Sequence, residues 1–67
     1  MDDRYKSVGE RLRAVRVNKG ITQAQLAQQV RTSPDMIGKY ERGEVSPSWQ
    51  RLVEIAAALD ISPADLC

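Results

Sequence analysis

Apolar residues recur along the chain at helical spacing, with polar residues between them. Val8, Leu12 and Val15 lie at i, i+4 and i+7, the spacing of one face of an α-helix. A second face of this kind comprises Leu52, Ile55, Ala56 and Leu59. No segment alternates between apolar and polar residues as a half-buried β-strand does. The pattern therefore predicts an all-α fold.

Serine residues mark where the helices are expected to begin. A serine side chain caps the first free N–H groups of a helix, and a proline directly after it suits the first helical position. This pair occurs three times, at Ser33-Pro34, Ser46-Pro47 and Ser62-Pro63. The spacing of a capping box predicts two further starts, at Ser7 with Glu10 and at Thr22 with Gln25.

Gly20 and Gly43 each follow a basic residue and are suited to end a helix in the left-handed conformation. Together with the starts, they predict one domain over residues 1–67 with five short helices. These are expected at residues 7–19, 22–30, 33–42, 47–59 and 63–66. The predicted core is Leu12, Val15, Ile21, Leu26, Ala27, Val30, Ile37, Tyr40, Trp49, Leu52, Ile55, Ala56, Leu59, Ile61 and Leu66.

Composition excludes several kinds of chemistry. The 67 residues include no histidine and one cysteine, so no catalytic triad, internal disulfide or four-cysteine metal site can form. We expect no metal and no cofactor. We assign no function to the single cysteine, Cys67. The chain has no apolar run long enough to cross a bilayer and no signal-peptide pattern at its start, which predicts a cytoplasmic protein.

Charge is distributed unevenly along the chain, although the net charge is only +1. Residues 1–20 contain six bases and three acids, residues 21–43 three bases and two acids, and residues 44–67 one base and four acids. The first two thirds could therefore face a polyanion while the last third faces elsewhere. Ordinary solvated surface charge explains this distribution equally well.

Residues 22–42 have the spacing of a helix-turn-helix, because the two predicted helices are joined through only a few residues, 30–33. On the second helix, Ile37 and Tyr40 share one face. The opposite face is polar and mixed in charge, and a DNA major groove admits a surface of this kind. It comprises Asp35, Gly38, Lys39 and Arg42.

These features resemble the phage repressor and Cro-type helix-turn-helix proteins, also called the xenobiotic-response-element (XRE) family. The resemblance covers almost the whole chain. Its motifs are Val8-Gly9-Glu10-Arg11-Leu12-Arg13, Arg16, Gly20-Ile21-Thr22-Gln23, Gln25-Leu26-Ala27, Ile37, Tyr40-Glu41-Arg42-Gly43, Pro47, Leu52, Ile55-Ala56 and Ala58-Leu59. The resemblance implies a compact five-helix, lambda-repressor-like domain that regulates transcription, more often as a repressor, without enzymatic activity. It also implies a homodimer on a palindromic double-stranded DNA operator, with residues 33–42 as the recognition helix.

The resemblance also implies roles for individual residues. Gln23 would contact a phosphate, Asp35 and Lys39 would read bases, and Arg42 would reach a phosphate or a base. Arg16 and Glu41 would form a partly buried ion pair that orients the recognition helix. The implied DNA-binding residues are Thr22, Gln23, Thr32, Ser33, Asp35, Gly38, Lys39 and Arg42.

Two residues, Arg31 and Pro34, depart from the usual pattern of the family, and a third, Gly38, is unusual for its place inside a helix. Arg31 replaces the usual turn glycine, which predicts either a non-glycine residue with positive φ or a locally different turn. Pro34 stands where many relatives place a base-reading residue, which predicts narrower direct readout. Gly38 lies inside a helix, where it is either a tolerated surface glycine or a point of close approach to DNA.

Two functions of other classes stay open at this point. A protein-interaction module, with weak or lost DNA binding, would use Trp49 and the acidic last third to bind a partner. An enzyme would have to rely on scattered carboxylates, with no nucleophile, base or cofactor motif near them. These are Glu10, Glu41, Glu44 and Glu54. Within the regulator class, a phage repressor, a restriction-modification controller and an antitoxin are equally consistent with the sequence.

Overall fold

The structure is a computed structural model that describes the backbone from Arg4 to Cys67 and the side chains from Ser7 onward. No strand occurs within this part of the chain, so the predicted all-α class is confirmed. Short loops join four α-helices, and a 3₁₀ helix follows them. They are α1 (Arg4–Asn18), α2 (Gln23–Gln29), α3 (Pro34–Glu41), α4 (Trp49–Ala58) and the 3₁₀ helix (Pro63–Leu66).

The prediction of five helices is wrong in its last member, because residues 63–66 form a 3₁₀ helix rather than an α-helix. Its hydrogen bonds join residues three apart: the Asp65 N–H donates to the Ser62 carbonyl at 2.9 Å, and the Cys67 N–H to the Ala64 carbonyl at 3.3 Å. A four-residue segment has too few amides to build an α-helical ladder, so the tighter turn satisfies more of its backbone.

The sequence signals at the starts of α2 and α3 are confirmed. Thr22 Oγ1 accepts from the Gln25 N–H at 3.0 Å, while Gln25 Oε1 accepts from the Thr22 N–H at 2.9 Å. Ser33 Oγ accepts from the Met36 N–H at 3.1 Å. Both helices of the predicted helix-turn-helix therefore begin where local hydrogen bonding places them.

Two other predicted starts are wrong. Helix α1 begins at Arg4 rather than at Ser7, so Ser7 lies inside the helix and is not its cap. Helix α4 is capped by Ser48, whose Oγ accepts from the Arg51 N–H at 3.1 Å, and not by Ser46. Pro47, between the two serines, is buried. The buried proline is therefore part of the preceding loop, and the helix begins two residues later than the serine–proline pair predicts.

Residues with positive φ follow all four α-helices, with Arg31 in this position after α2. Gly20 (φ +72°) and Gly43 (φ +75°) adopt the predicted left-handed conformation after α1 and α3. Asp60, which the sequence did not single out, has the same conformation after α4 (φ +58°), and the Ile61 N–H reaches back to the Ala56 carbonyl at 2.9 Å. Aspartate tolerates this region better than most residues, so α4 ends without a glycine.

One apolar cluster forms the core of the described residues, and Leu12, Ile37 and Ile55 at its centre are fully buried. Most of the predicted core residues belong to this cluster, with Val15, Ile21 and Ile61 at its partly buried edge. Trp49 does not belong to it, because its side chain is 64% exposed. Trp49 is the first residue of α4, one turn before the buried Leu52.

Helices α1 and α3 approach each other at Gly9. A Cβ atom at Gly9 would lie 2.6 Å from the Glu41 carbonyl oxygen and would collide with the Tyr40 carbonyl as well. Both atoms belong to the backbone of α3, which cannot move aside as a flexible side chain can. The absent side chain at Gly9 therefore sets the distance between α1 and the helix predicted to enter DNA.

Candidate nucleic-acid interface

The turn between α2 and α3 is closed by backbone hydrogen bonds and by a left-handed residue. Arg31 has φ +58°, which is the first of the two alternatives left open for the residue in the place of the usual glycine. The next amide, that of Thr32, donates to the Ala27 carbonyl at 2.9 Å. Positive φ is strained for a residue with a side chain, and at this position the strained residue is Arg31. Its side chain is exposed.

Helix α3 presents different residues to the core and to solvent. Ile37 and Tyr40 are buried, whereas Asp35 and Arg42 are exposed and Lys39 is half-buried. The Lys39 ammonium lies 3.4 Å from an Asp35 carboxylate oxygen, one helical turn away. The outward face therefore carries an acceptor and a donor side by side.

Gly38 is buried, although it belongs to the outward half of α3. A Cβ atom there would lie 3.0 Å from Nη1 of Arg42 and 3.6 Å from Nε2 of Gln23. The two long side chains use the space that the glycine leaves. This contact gives Gly38 a role within the protein, in addition to the approach to DNA predicted from the sequence.

The structure brings Arg16 and Glu41 together in a buried, two-pronged ion pair. Arg16 Nε lies 2.6 Å from Glu41 Oε2, and Nη2 donates to Oε1 at 3.2 Å. Only 11% of the Arg16 side chain and 3% of the Glu41 side chain are exposed. Arg16 Nη1 also donates to the Ile21 carbonyl at 2.8 Å. One guanidinium thus connects α1, the loop before α2 and the last residue of α3.

Gln23 is the third member of this network, which the sequence did not predict. Its Nε2 donates to Glu41 Oε1 at 3.1 Å, so the side chain predicted to contact a phosphate is held against the end of α3. Residues 23 and 41 are 18 positions apart, and no local spacing rule relates them. Among the described residues, no buried side-chain polar atom of this region lacks a hydrogen-bond partner.

Glu44 also belongs to this surface, although the sequence indicated it only as one of the scattered carboxylates and not as one of the DNA-binding residues. Its carboxylate forms an exposed ion pair with Nε of Arg42. Its backbone N–H donates to the Lys39 carbonyl at 3.0 Å, and the Gly43 N–H donates to the Tyr40 carbonyl at 3.2 Å. The hydrogen bond from Arg42 lowers the pKa of Glu44, and the same bond raises the pKa of Arg42. The turn after α3 therefore holds an acid beside the cation at its end.

Neither a cluster of metal-ligating side chains nor a membrane-spanning helix occurs among the described residues. No three His, Cys, Asp or Glu side chains from Ser7 onward lie together as a metal ion would require. None of the helices between Arg4 and Cys67 is long and apolar enough to cross a bilayer.

Comparison with known proteins relates this arrangement to repressors. The chain is 43% identical over 60 residues to the cryptic phage CTXphi transcriptional repressor RstR of Vibrio cholerae, covering 90% of this chain and 54% of RstR. It thus spans about half the length of that relative.

Solved structures share the fold over nearly the whole chain. The restriction-modification controller protein C.AhdI from Aeromonas hydrophila is 37% identical with a TM-score of 0.89, over 97% of this chain and 93% of that one. The P22 c2 repressor, solved with a synthetic operator, is 39% identical with a TM-score of 0.82, over 88% and 89%. The fold also makes up about a third of a more distant chain, HppE, solved with iron(II) and its substrate (25% identity, TM-score 0.87, 92% and 36%).

The profile of the HTH_3 family, described as helix-turn-helix, matches residues 12–66. That range contains α2, the turn and α3, together with the ion pair between Arg16 and Glu41. The chain therefore belongs to the HTH_3 helix-turn-helix family, the phage repressor and Cro-type family that its sequence resembles.

Proposed function

We propose that this protein is a sequence-specific double-stranded DNA-binding regulator of transcription that acts as a repressor, without enzymatic activity. In this proposal α3 enters the major groove of the operator. The observation that carries it is the polar outward face of α3, which is held in position by the buried pair of Arg16 and Glu41. The similarity to P22 c2, solved with its operator, supports the same conclusion. A prokaryotic or phage regulator of this kind meets its operator in the cytoplasm.

Base reading is assigned to the two residues in the middle of the outward face. The Lys39 ammonium can donate to guanine O6 or N7, and the Asp35 carboxylate can accept from cytosine N4. Their 3.4 Å separation supports contacts to neighbouring groups in the groove. Gly38, between them along the helix, carries no side chain that would keep the backbone of α3 from the DNA.

Phosphate contacts are assigned to the residues at the starts of α2 and α3. The hydroxyl oxygens of Thr22 and Ser33 accept backbone N–H groups, which leaves the hydroxyl protons free to donate to phosphate. One N–H of the Gln23 amide donates to Glu41, and the other can donate to DNA. Thr32 and Arg42 complete the proposed contact surface, with Arg42 reaching a phosphate or a base.

Two copies are proposed to bind one palindromic operator. A single chain presents one recognition helix of eight residues, which can read one half-site. In two-fold repressors the half-sites lie about one helical turn, roughly 10 base pairs, apart.

Binding selection from random duplex DNA tests the proposal. The selected site is then titrated against scrambled DNA at two salt concentrations. We expect a palindromic consensus that binds about a thousandfold more tightly than scrambled DNA, because specific regulators discriminate by that factor or more. Binding without an enriched motif that vanishes at moderate salt would reflect polyanion affinity alone and would contradict the proposal.

A protein-interaction module is the second candidate, and one observation favours it. Trp49 and Val53 are exposed one turn apart on α4, with 64% and 39% of their surface accessible. Tryptophan is enriched among the residues that dominate protein interfaces. If the selection enriches no DNA motif, this function becomes the preferred one, and replacing Trp49 with alanine should then abolish partner binding.

A further inference from the structure

We propose that Glu44 is a specificity-determining residue of the DNA interface. In this proposal its carboxylate orients Arg42 for the operator and reduces the attraction of the surface to DNA of any other sequence. The inference rests on the proposed function. It concerns a residue outside the eight expected to contact DNA, and three features of the structure support it.

The first feature is the part of Arg42 that Glu44 engages. The carboxylate pairs with Nε, so the pair does not use the hydrogen bonds of the two Nη groups. An arginine offers five donors in a rigid, planar fork, and bonding one edge to a carboxylate fixes the direction of the other edge. Arg42 can therefore stay paired with Glu44 and still donate to a phosphate or a base.

The second feature is the space that Gly38 provides. Nη1 of Arg42 lies 3.0 Å and Cζ 3.8 Å from the position that a Cβ of residue 38 would occupy. The guanidinium therefore lies over the backbone of α3, between the glycine and the carboxylate. A side chain at residue 38 would push it away from this position.

The third feature is the attachment of Glu44 itself. Its N–H donates to the Lys39 carbonyl, and Gly43 turns the chain with φ +75°, so the backbone of Glu44 is tied to the end of α3. The C-terminal end of a helix favours a cation and disfavours an acid. An exposed ion pair also adds little stability. Helix stabilisation therefore does not explain an acid at this position.

Glu44 should affect the affinity for the operator and the affinity for other DNA differently. Binding of arbitrary sequences depends mainly on attraction between surface cations and phosphates. Glu44 weakens that attraction because it neutralises Arg42 and repels phosphates itself. On the operator, a pre-oriented Arg42 loses less conformational entropy when it forms its contact, which offsets the repulsion. Glu44 should therefore increase the ratio of the two affinities.

The test compares variants on the selected operator and on a scrambled duplex of the same length, at two salt concentrations. We expect Glu44→Gln to tighten binding to scrambled DNA roughly two- to fivefold, the range that loss of one exposed charge interaction gives. Operator affinity should stay unchanged or fall, so the specificity ratio should decrease by about twofold or more. Thermal midpoints of wild type and variant should agree, which separates this role from stability.

Asp60→Asn provides the matched control. It changes the net charge equally, at an exposed residue whose positive φ asparagine also tolerates. This variant should strengthen binding to both duplexes alike and leave the ratio unchanged. The double variant Arg42→Ala/Glu44→Gln should have the same ratio as Arg42→Ala alone, because the proposed effect acts through Arg42.

Three outcomes would overturn the proposal. An unchanged ratio in Glu44→Gln would do so, as would an equal fall of the ratio in Asp60→Asn or in the background without Arg42. In each of these cases the wild type still prefers its operator, so the proposed function stands. If the wild type itself shows no preferred DNA, the proposed function fails and this inference fails with it.

Discussion

At the scale of single residues, Gly9 and Gly38 are both buried but for different reasons. A Cβ at Gly9 would collide with backbone oxygens of α3, whereas a Cβ at Gly38 would meet the ends of the Arg42 and Gln23 side chains. A backbone contact cannot relax without moving a helix, while a flexible side chain can rotate away. Replacement by alanine should therefore lower stability at Gly9 but not at Gly38.

Gly9→Ala should lower the free energy of unfolding by roughly 1–3 kcal/mol, the usual effect of overpacking a core, although alanine favours the helix. Gly38→Ala should leave stability unchanged or increase it by up to about 1 kcal/mol, the difference in helix propensity. Urea denaturation of both variants measures the two effects. Equal stability changes would contradict the close approach of α1 and α3 at Gly9.

The buried ion pair gives a second prediction. Arg16→Ala should destabilise the fold by about 3–5 kcal/mol, because Glu41 would be left buried and uncompensated. The double variant Arg16→Met/Glu41→Met removes both charges and should recover most of that loss, since buried pairs are often replaceable by apolar residues. Thermal and urea unfolding of the three proteins measure this. An unchanged midpoint in Arg16→Ala would contradict the burial of the pair.

At the scale of helices, local hydrogen bonds fix the start of every described element except α1. Four of the five described elements begin at a capping side chain: Thr22, Ser33, Ser48 and Ser62. Two serines, Ser46 and Ser48, lie close to the start of α4, and Ser48, directly before Trp49, is the one that caps the helix. Ser46 therefore provides a control for the contribution of the Ser48 cap to stability.

Ser48→Ala should lower the free energy of unfolding by about 1 kcal/mol, the typical contribution of an N-cap. Ser46→Ala, two residues earlier, should change stability by less than about 0.5 kcal/mol, as exposed substitutions away from caps usually do. Chemical denaturation of the two variants measures which serine stabilises the start of α4. A larger loss at Ser46 would mean that α4 begins at the serine–proline pair after all.

At the scale of the whole molecule, size limits how much DNA one copy can read. The described chain measures 32 × 23 × 22 Å and carries a single proposed recognition helix, α3. Two half-sites one turn apart are about 34–36 Å from centre to centre. One copy cannot place α3 in both major grooves, so a palindromic operator requires two copies.

We therefore expect two chains per selected operator in native mass spectrometry or sedimentation. Insertion of about 5 base pairs between the half-sites rotates one of them by half a turn and should abolish joint binding. A duplex with one intact half-site should bind a single copy more weakly. A single chain that fills the palindrome with full affinity would contradict the dimer.

The sequence by itself determined the helical class, the helix-turn-helix and most of the caps, because these depend on hydrogen bonds between residues at most a few positions apart. It also indicated the left-handed residues Gly20 and Gly43, whereas positive φ at Arg31 was one of two alternatives that came from family resemblance. The partnership of Arg16 with Glu41 came from family resemblance, since 25 positions separate the two residues.

Only the tertiary structure decided which surfaces meet. The collision that excludes a side chain at Gly9 and the hydrogen bond from Gln23 to Glu41 depend on how α1 and α2 pack against α3. The exposure of Trp49 has the same origin, because periodicity assigns a residue to a face but not a neighbour to that face. The Glu44–Arg42 pair spans only two residues, yet it follows from the turn at Gly43, whose geometry no apolar pattern encodes.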